Sequence, residues 1–340
     1  PAAALPPLLR WLILTDNRVS HLPDELGQRP HLQKLMLAGN RLQQLPVSLA
    51  QCHQLELLRI AANQLDDLPQ WLLELPRLSW LAYAGNPLET QADEAAQHST
   101  TPIDWAQLSL QQLLGEGASG VIHQAQWQPT GQPARNVAVK MYKGEMTSDG
   151  SPLHEMHACI TAGRHPNLIE VLGQVAGHPD GQAGLVMALI EPSYRNLAGL
   201  PSLASCTRDV YADTLRLSAT AALRIARGIA AVAAHLHRQG ITHGDLYGHN
   251  ILYNDQGECL LGDFGAASFH ATADTPQTRA LQRIEVRAFG ILLGELLARI
   301  EPGDDDLQLA TLQALETRCC QPDVLARPGF EEIERVLAGG

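Results

Sequence analysis

The chain has 340 residues, 45% of them hydrophobic and 18% charged, enough for more than one core of ordinary size. Its formal net charge is −12, unevenly spread: residues 1–88 carry 7 basic and 7 acidic side chains, leaving 17 against 29 for residues 89–340. An acidic chain without a Lys/Arg-rich run has no electrostatic footprint for nucleic acid or an anionic membrane, and no apolar run approaches the roughly 18 residues needed to span a bilayer. No basic-then-apolar signal segment opens the chain. Its first residue is Pro1 rather than Met, which reads as a fragment or a processed form. Six scattered cysteines without CxxC spacing fit a reducing, cytoplasmic compartment.

The first quarter repeats. The segments LLRWLILTDNRV (8–19), HLQKLMLAGNRL (31–42), QLELLRIAANQL (54–65) and RLSWLAYAGNPL (77–88) align with Asn17, Asn40, Asn63 and Asn86 in register, a period of 23 each time. Leu-Pro pairs follow at 22–23, 45–46 and 68–69. This LxxLxLxxN pattern resembles the leucine-rich repeat family, which implies an α/β solenoid with inward leucines and turn-satisfying asparagines. The alternating strand positions that face the concave side are Trp11, Ile13, Lys34, Met36, Leu57, Arg59, Trp80 and Ala82. That row is apolar for a free surface. It reads either as a protein-binding face, with Trp11, Met36, Leu57, Arg59 and Trp80 touching a partner or substrate, or as a face covered by the rest of the chain.

Residues 89–104, ETQADEAAQHSTTPID, are polar and aperiodic and read as a linker, which at roughly 5–6 Å × √n keeps the flanking parts close together. A domain is expected over 105–340. Its first motif is LGEGASGV, with Gly115, Gly117 and Gly120 in GxGxxG spacing before Val121. The residues after Val121 alternate and carry no helical stripe, so the loop joins two strands and its N–H groups can fold over phosphates. Twenty residues past Gly120, NVAVK ends at Lys140, one of only three lysines in the chain. A lysine closing an apolar strand suits a cation for phosphates held by a carboxylate. Glu155, on an expected helix, is the candidate, and Glu145 is the lesser one.

In ITHGDLYGHNIL (241–252), Asp245 is followed by Asn250 at five residues and by Asp263 of GDFG at 18. With the loop and the lysine upstream, this order resembles the protein kinase family over about 105–337. The resemblance implies an α+β bilobal domain, with a small lobe at 105–190 and a large lobe at 191–340. It also implies Mg²⁺ held by Asn250 and Asp263, ATP beneath the glycine loop, and Asp245 accepting or orienting the proton of the attacking hydroxyl. The interlobe hinge would pass at MALI (187–190), with Met187 behind the adenine and the Ala188–Ile190 backbone bonding the base. EVRAFGILLGELL (285–297) and Arg327-Pro328 resemble large-lobe segments, Glu285 standing where an aspartate is usual.

Departures from the pattern carry information too. Gly244 replaces the arginine that clamps a phosphorylated activation loop in many members, and a glycine offers phosphate no bidentate partner. Tyr247 stands where serine/threonine members carry a lysine. The stretch from Gly265 to Glu285 is short and lacks APE, which leaves the partner of Arg327 open and Thr272, Thr275 and Thr278 as the available hydroxyls. The expectation is an ATP-dependent protein kinase acting on Ser/Thr rather than Tyr, with an ATP-binding scaffold as the alternative.

Overall fold

The computed structural model describes residues 5–89, 100–301 and 306–339. The repeats form four short parallel strands, β1 (Trp11–Ile13), β2 (Lys34–Met36), β3 (Leu57–Arg59) and β4 (Trp80–Ala82), paired in sequence order. Each strand returns to the next through a short 3-10 turn or, once, the single-turn helix α1 (Gln70–Leu73). Because every turn recurs at the same register, one asparagine per repeat satisfies the same backbone groups. Asn63 donates to Leu37 O (3.0 Å) and Ile60 O (3.1 Å) and accepts from Leu42 N (3.0 Å), and Asn86 does the same one repeat later. The leucines between, among them Leu35, Leu58 and Leu81, form a buried column.

Most of the expected linker, 90–99, lies outside the described residues. Its end is not irregular: Pro102–Asp104 forms β5, which lies parallel to the strand Val171–Ala176 on the edge of a second sheet. Gly173 permits this, since a Cβ there would lie 2.4 Å from the Thr101 carbonyl oxygen. That sheet runs in the order β5-β9-β10-β8-β7-β6, built from β6 (Leu108–Glu116), β7 (Gly120–Trp127), β8 (Arg135–Tyr142), β9 (Val171–Ala176) and β10 (Gly184–Ala188). Between β8 and β9 runs α2 (Pro152–Ala162), N-capped by Ser151.

A helical part follows. The short strand β11 (Arg195–Asn196) leads into α3 (Ala219–Arg238), and the hairpin-like strands β12 (Ile241–Thr242), β13 (Ile251–Tyr253), β14 (Cys259–Leu261) and β15 (Ser268–Phe269) lie against it. The chain continues in α4 (Pro276–Leu297), α5 (Asp306–Cys319) and α6 (Phe330–Gly339). The α3 helix is long and apolar enough by composition to cross a membrane, but 67% of that stretch is buried, with Ala222, Ile225, Ala226 and Ile229 fully inside the core.

The concave row of the repeats does not face an external partner over most of its length, which corrects the reading of it as a free binding face. Met36, Leu57, Arg59 and Trp80 are buried, and the three apolar ones belong to the same core as α3 and as Leu246 and Tyr247 of the loop after β12. Such a row is too apolar to leave in water, and this chain covers it itself. Only the first repeat keeps an open portion, with Trp11 half-buried and Ile13 exposed. The repeat core also continues into α4 through Ala280, Leu281 and Ile284.

Candidate active site

The glycine motif forms the turn between antiparallel β6 and β7, with Gly117 N bonded to Gly120 O at 2.9 Å. Its three glycines differ in kind. A Cβ on Gly120 would lie 2.5 Å from the Met141 carbonyl oxygen of β8, so that glycine is required by the sheet, whereas Gly115 and Gly117 have nothing within 4 Å and leave room for a ligand against the backbone. Val121 pairs with Met141 beside them. Lys143 clasps the loop, its Nζ bonding Glu116 Oε1 (2.7 Å) and Gly117 O (3.0 Å), a contact that sequence reasoning missed although Lys143 is one of the three lysines.

Lys140 points from β8 to α2, where its Nζ pairs with Glu155 Oε1. Burial works against the ammonium charge, but Glu155 and then Asp263 outweigh it and raise the lysine pKa. Glu155 Oε2 is buried without a protein partner. Glu145 makes no ion pair with Lys140; the pair forms with Glu155. Met187, the last but one residue of β10, pairs with Val171 and lines a cavity of about 90 Å³ with Lys140, Glu155 and Asp263. The Ala188 N–H is already bonded to Glu170 O (2.9 Å), so of the hinge donors expected there Ala188 can offer only its carbonyl, with Ile190 just beyond the strand.

Asp245 lies after β12, on a loop held from below. Glu285 of α4 accepts the Gly244 N–H (2.7 Å) and bonds His237 (2.8 Å), doing with a longer side chain what the resemblance assigns to an aspartate. Asn250 donates to Asp245 O (2.9 Å) and Oδ2 (2.8 Å), and His249 sits between Asp209 (2.7 Å) and Asp245 (3.7 Å). Burial disfavours the Asp245 charge, yet Arg59, followed by His249 and His243, holds the carboxyl well below its usual range. Burial likewise opposes His249 protonation, but its hydrogen bonds to Asp209 and Asp245 push it up to about 9. Asp263 has φ 55°, an unusual backbone for a non-glycine residue, and accepts from Gly265 N at 3.1 Å.

Arg59, placed by the sequence on a partner-binding face, is at this site instead. Its Nε bonds Asp149 (2.7 Å), its Nη1 the Gly244 carbonyl (2.8 Å), and its Nη2 Asp245 Oδ1. Beside it Trp80 stacks on Tyr247 (centroids 4.1 Å apart, planes 6° apart) and donates its indole N–H to Leu246 O (3.1 Å). Gly244 now has a steric reason: with φ 72°, a Cβ would lie 2.4 Å from Ala266 O and 2.8 Å from Leu81 O of the fourth repeat. The stretch after Asp263 is pinned by the same repeat, Tyr83 donating to Ser268 Oγ (2.9 Å) and Phe269 O (3.0 Å) while Glu89 accepts the Phe269 N–H (2.8 Å). Arg327 bonds Pro76 O (2.8 Å), Arg283 O (3.0 Å) and Gln321 O (2.8 Å). Of the three threonines expected to be available, Thr278 is buried and bonded to Ala271 O, so only Thr272 and Thr275 are exposed.

This arrangement of glycine turn, paired lysine and two aspartates on separate loops is the one that the protein kinase resemblance implies. The family model of the protein tyrosine and serine/threonine kinases matches residues 108–289, more than half of the chain, and the chain belongs to that family. The leucine rich repeat model matches 7–65 and 30–88. Among curated proteins the chain is 25% identical to cyclin-dependent kinase 10 of Homo sapiens over 229 residues (66% of this chain, 57% of that one). It is 27% identical to the serine/threonine-protein kinase mos of Gallus gallus over 231 residues (59% and 64%) and 29% identical to a putative cyclin-dependent kinase F-2 of Oryza sativa subsp. japonica over 182 residues (53% of each). The chain thus spans between about half and two thirds of the length of these relatives.

Proposed function

We propose that the protein is an ATP-dependent protein kinase of the serine/threonine type, an α/β repeat solenoid joined to a bilobal kinase domain, working in the reducing cytoplasm where its six cysteines stay free. The observation that carries this reading is the Lys140–Glu155 pair standing in the field of Asp263, since a buried lysine held charged beside a second carboxylate is what polyphosphate binding requires. In this reading the N–H groups around Gly115, Gly117, Gly120 and Val121 cover the phosphates, Lys140 neutralises them, and Met187, Ala188 and Ile190 contact the base. Asp245 orients the attacking hydroxyl. As the resemblance implies, Mg²⁺ would be held by the Asn250 and Asp263 oxygens, its remaining positions going to water and phosphate. That donor set is hard and sparse, and it fits. Bound there, the ion would supply charge neutralisation to the transferring phosphoryl group.

A second reading, a nucleotide-binding scaffold, is favoured by one observation: Asp245 is already engaged by Arg59 under the repeats. Incubation with γ-labelled ATP and a generic protein substrate separates the two. Label on serine or threonine, lost in Asp245→Asn, is the expected result, while no label from the unsubstituted chain rejects the kinase reading.

A further inference from the structure

Gly244 brings no guanidinium and Tyr247 brings no ammonium, so the catalytic loop supplies neither of the cations that the kinase resemblance places beside Asp245. A buried guanidinium is nevertheless bonded to that carboxylate, and it comes from a strand 186 residues away in sequence. We propose that Arg59 of the third repeat is a positioning residue for Asp245, and that the repeat sheet completes the catalytic site in place of the activation-segment half this chain lacks. The inference rests on the phosphoryl-transfer reading above.

Three features of the geometry support positioning over obstruction. All three guanidinium nitrogens are spent on fixed groups, namely Asp149 on the loop before α2, the Gly244 carbonyl and Asp245 Oδ1, so Arg59 ties the Lys140–Glu155 side of the cleft to the Asp245 side. It takes one carboxylate oxygen and leaves the other, Oδ2, to the Asn250 amide (2.8 Å). The Asp245 side chain also keeps 17% of its surface exposed, so it is gripped but not sealed.

Arg59 is itself immobilised, at 1% exposure. The neighbouring Glu56 is locked by Arg208 (2.8 and 3.0 Å), and Trp80 lies flat on Tyr247. The rest of the sheet fills the gap left by the short segment after Asp263. Leu81 O approaches Gly244, Tyr83 holds Ser268 and Phe269, Ser79 accepts from Arg287 (2.9 Å), and Pro76 O answers Arg327. A bidentate or tridentate role of this sort depends on the planar fork, which an ammonium reproduces only as a point charge.

The test uses the whole chain with Arg59→Gln and Arg59→Lys, reading initial rates of γ-phosphate transfer against ATP concentration together with melting temperature. Positioning predicts that Arg59→Gln lowers kcat by roughly ten- to hundredfold with KM for ATP nearly unchanged, and that Arg59→Lys recovers part of the loss. A rate in Arg59→Gln equal to or above that of the unsubstituted chain overturns the proposal, the higher rate marking the repeats as an obstruction. Equal collapse of both variants with lowered melting overturns it too, because a purely structural role would not distinguish lysine from glutamine. If the unsubstituted chain transfers no phosphate, the kinase reading fails separately. Hydrogen exchange of the amides at 243–250 then decides: faster exchange in Arg59→Gln at unchanged melting temperature supports positioning, and unchanged exchange rejects it.

Discussion

Burying an ionisable side chain costs several kcal/mol unless a partner is supplied, so each one inside this protein has to be explained by what it meets. Lys140 meets Glu155, Arg59 meets two aspartates, and Glu285 meets His237 and a backbone N–H. His270 is met at Nδ1 alone, and that makes a prediction. Burial pulls its imidazole down to about 4, only partly offset by the Ala271 carbonyl, and its Nε2 has no partner. The ring is therefore neutral in the folded protein while the unfolded chain protonates it near its ordinary value of about 6.5. Stability from this residue is complete above that pH and is lost as pH falls from about 6.5 toward 4, by up to about 3 kcal/mol. Chemical denaturation at pH 7.5 and pH 5 should show this loss, and His270→Leu should flatten it. A His270→Leu curve as steep as that of the unsubstituted chain would place the titration elsewhere.

At the scale of elements, the repeat sheet behaves as part of the large helical core. Trp80 is 1% exposed and both stacks on Tyr247 and hydrogen-bonds Leu246, so Trp80→Ala should destabilise the chain by about 3–5 kcal/mol in denaturant titration. A loss below about 1 kcal/mol would mean that the face is only loosely covered. Much of this element level was legible in the sequence. The 23-residue period dictates the strands and the asparagine ladder because each turn repeats the same backbone demand, and the alternation after Val121 marks a strand-to-strand loop. The occupant of the concave face was not legible, since Arg59 and Trp80 reach residues 186 and 166 positions away and no local pattern encodes such a pairing. The one available hint was the mismatch itself: an apolar row with an arginine in it, and a catalytic loop with a glycine where a cation was due.

Across the whole molecule, the repeats contribute a guanidinium to the site, hydrogen bonds to the segment after Asp263 and leucines to the core around α4, so the two sequence regions form one structural unit. That unit holds a cavity lined by Lys140 and Glu155 on one side and by Asp263 on the other. Scanning calorimetry of the full chain tests both statements together. The account predicts a single unfolding transition, with calorimetric and van't Hoff enthalpies in agreement, that moves to higher temperature with Mg-ATP and no longer does so in Asp263→Ala. Two separate transitions, with nucleotide moving only one of them, would contradict it.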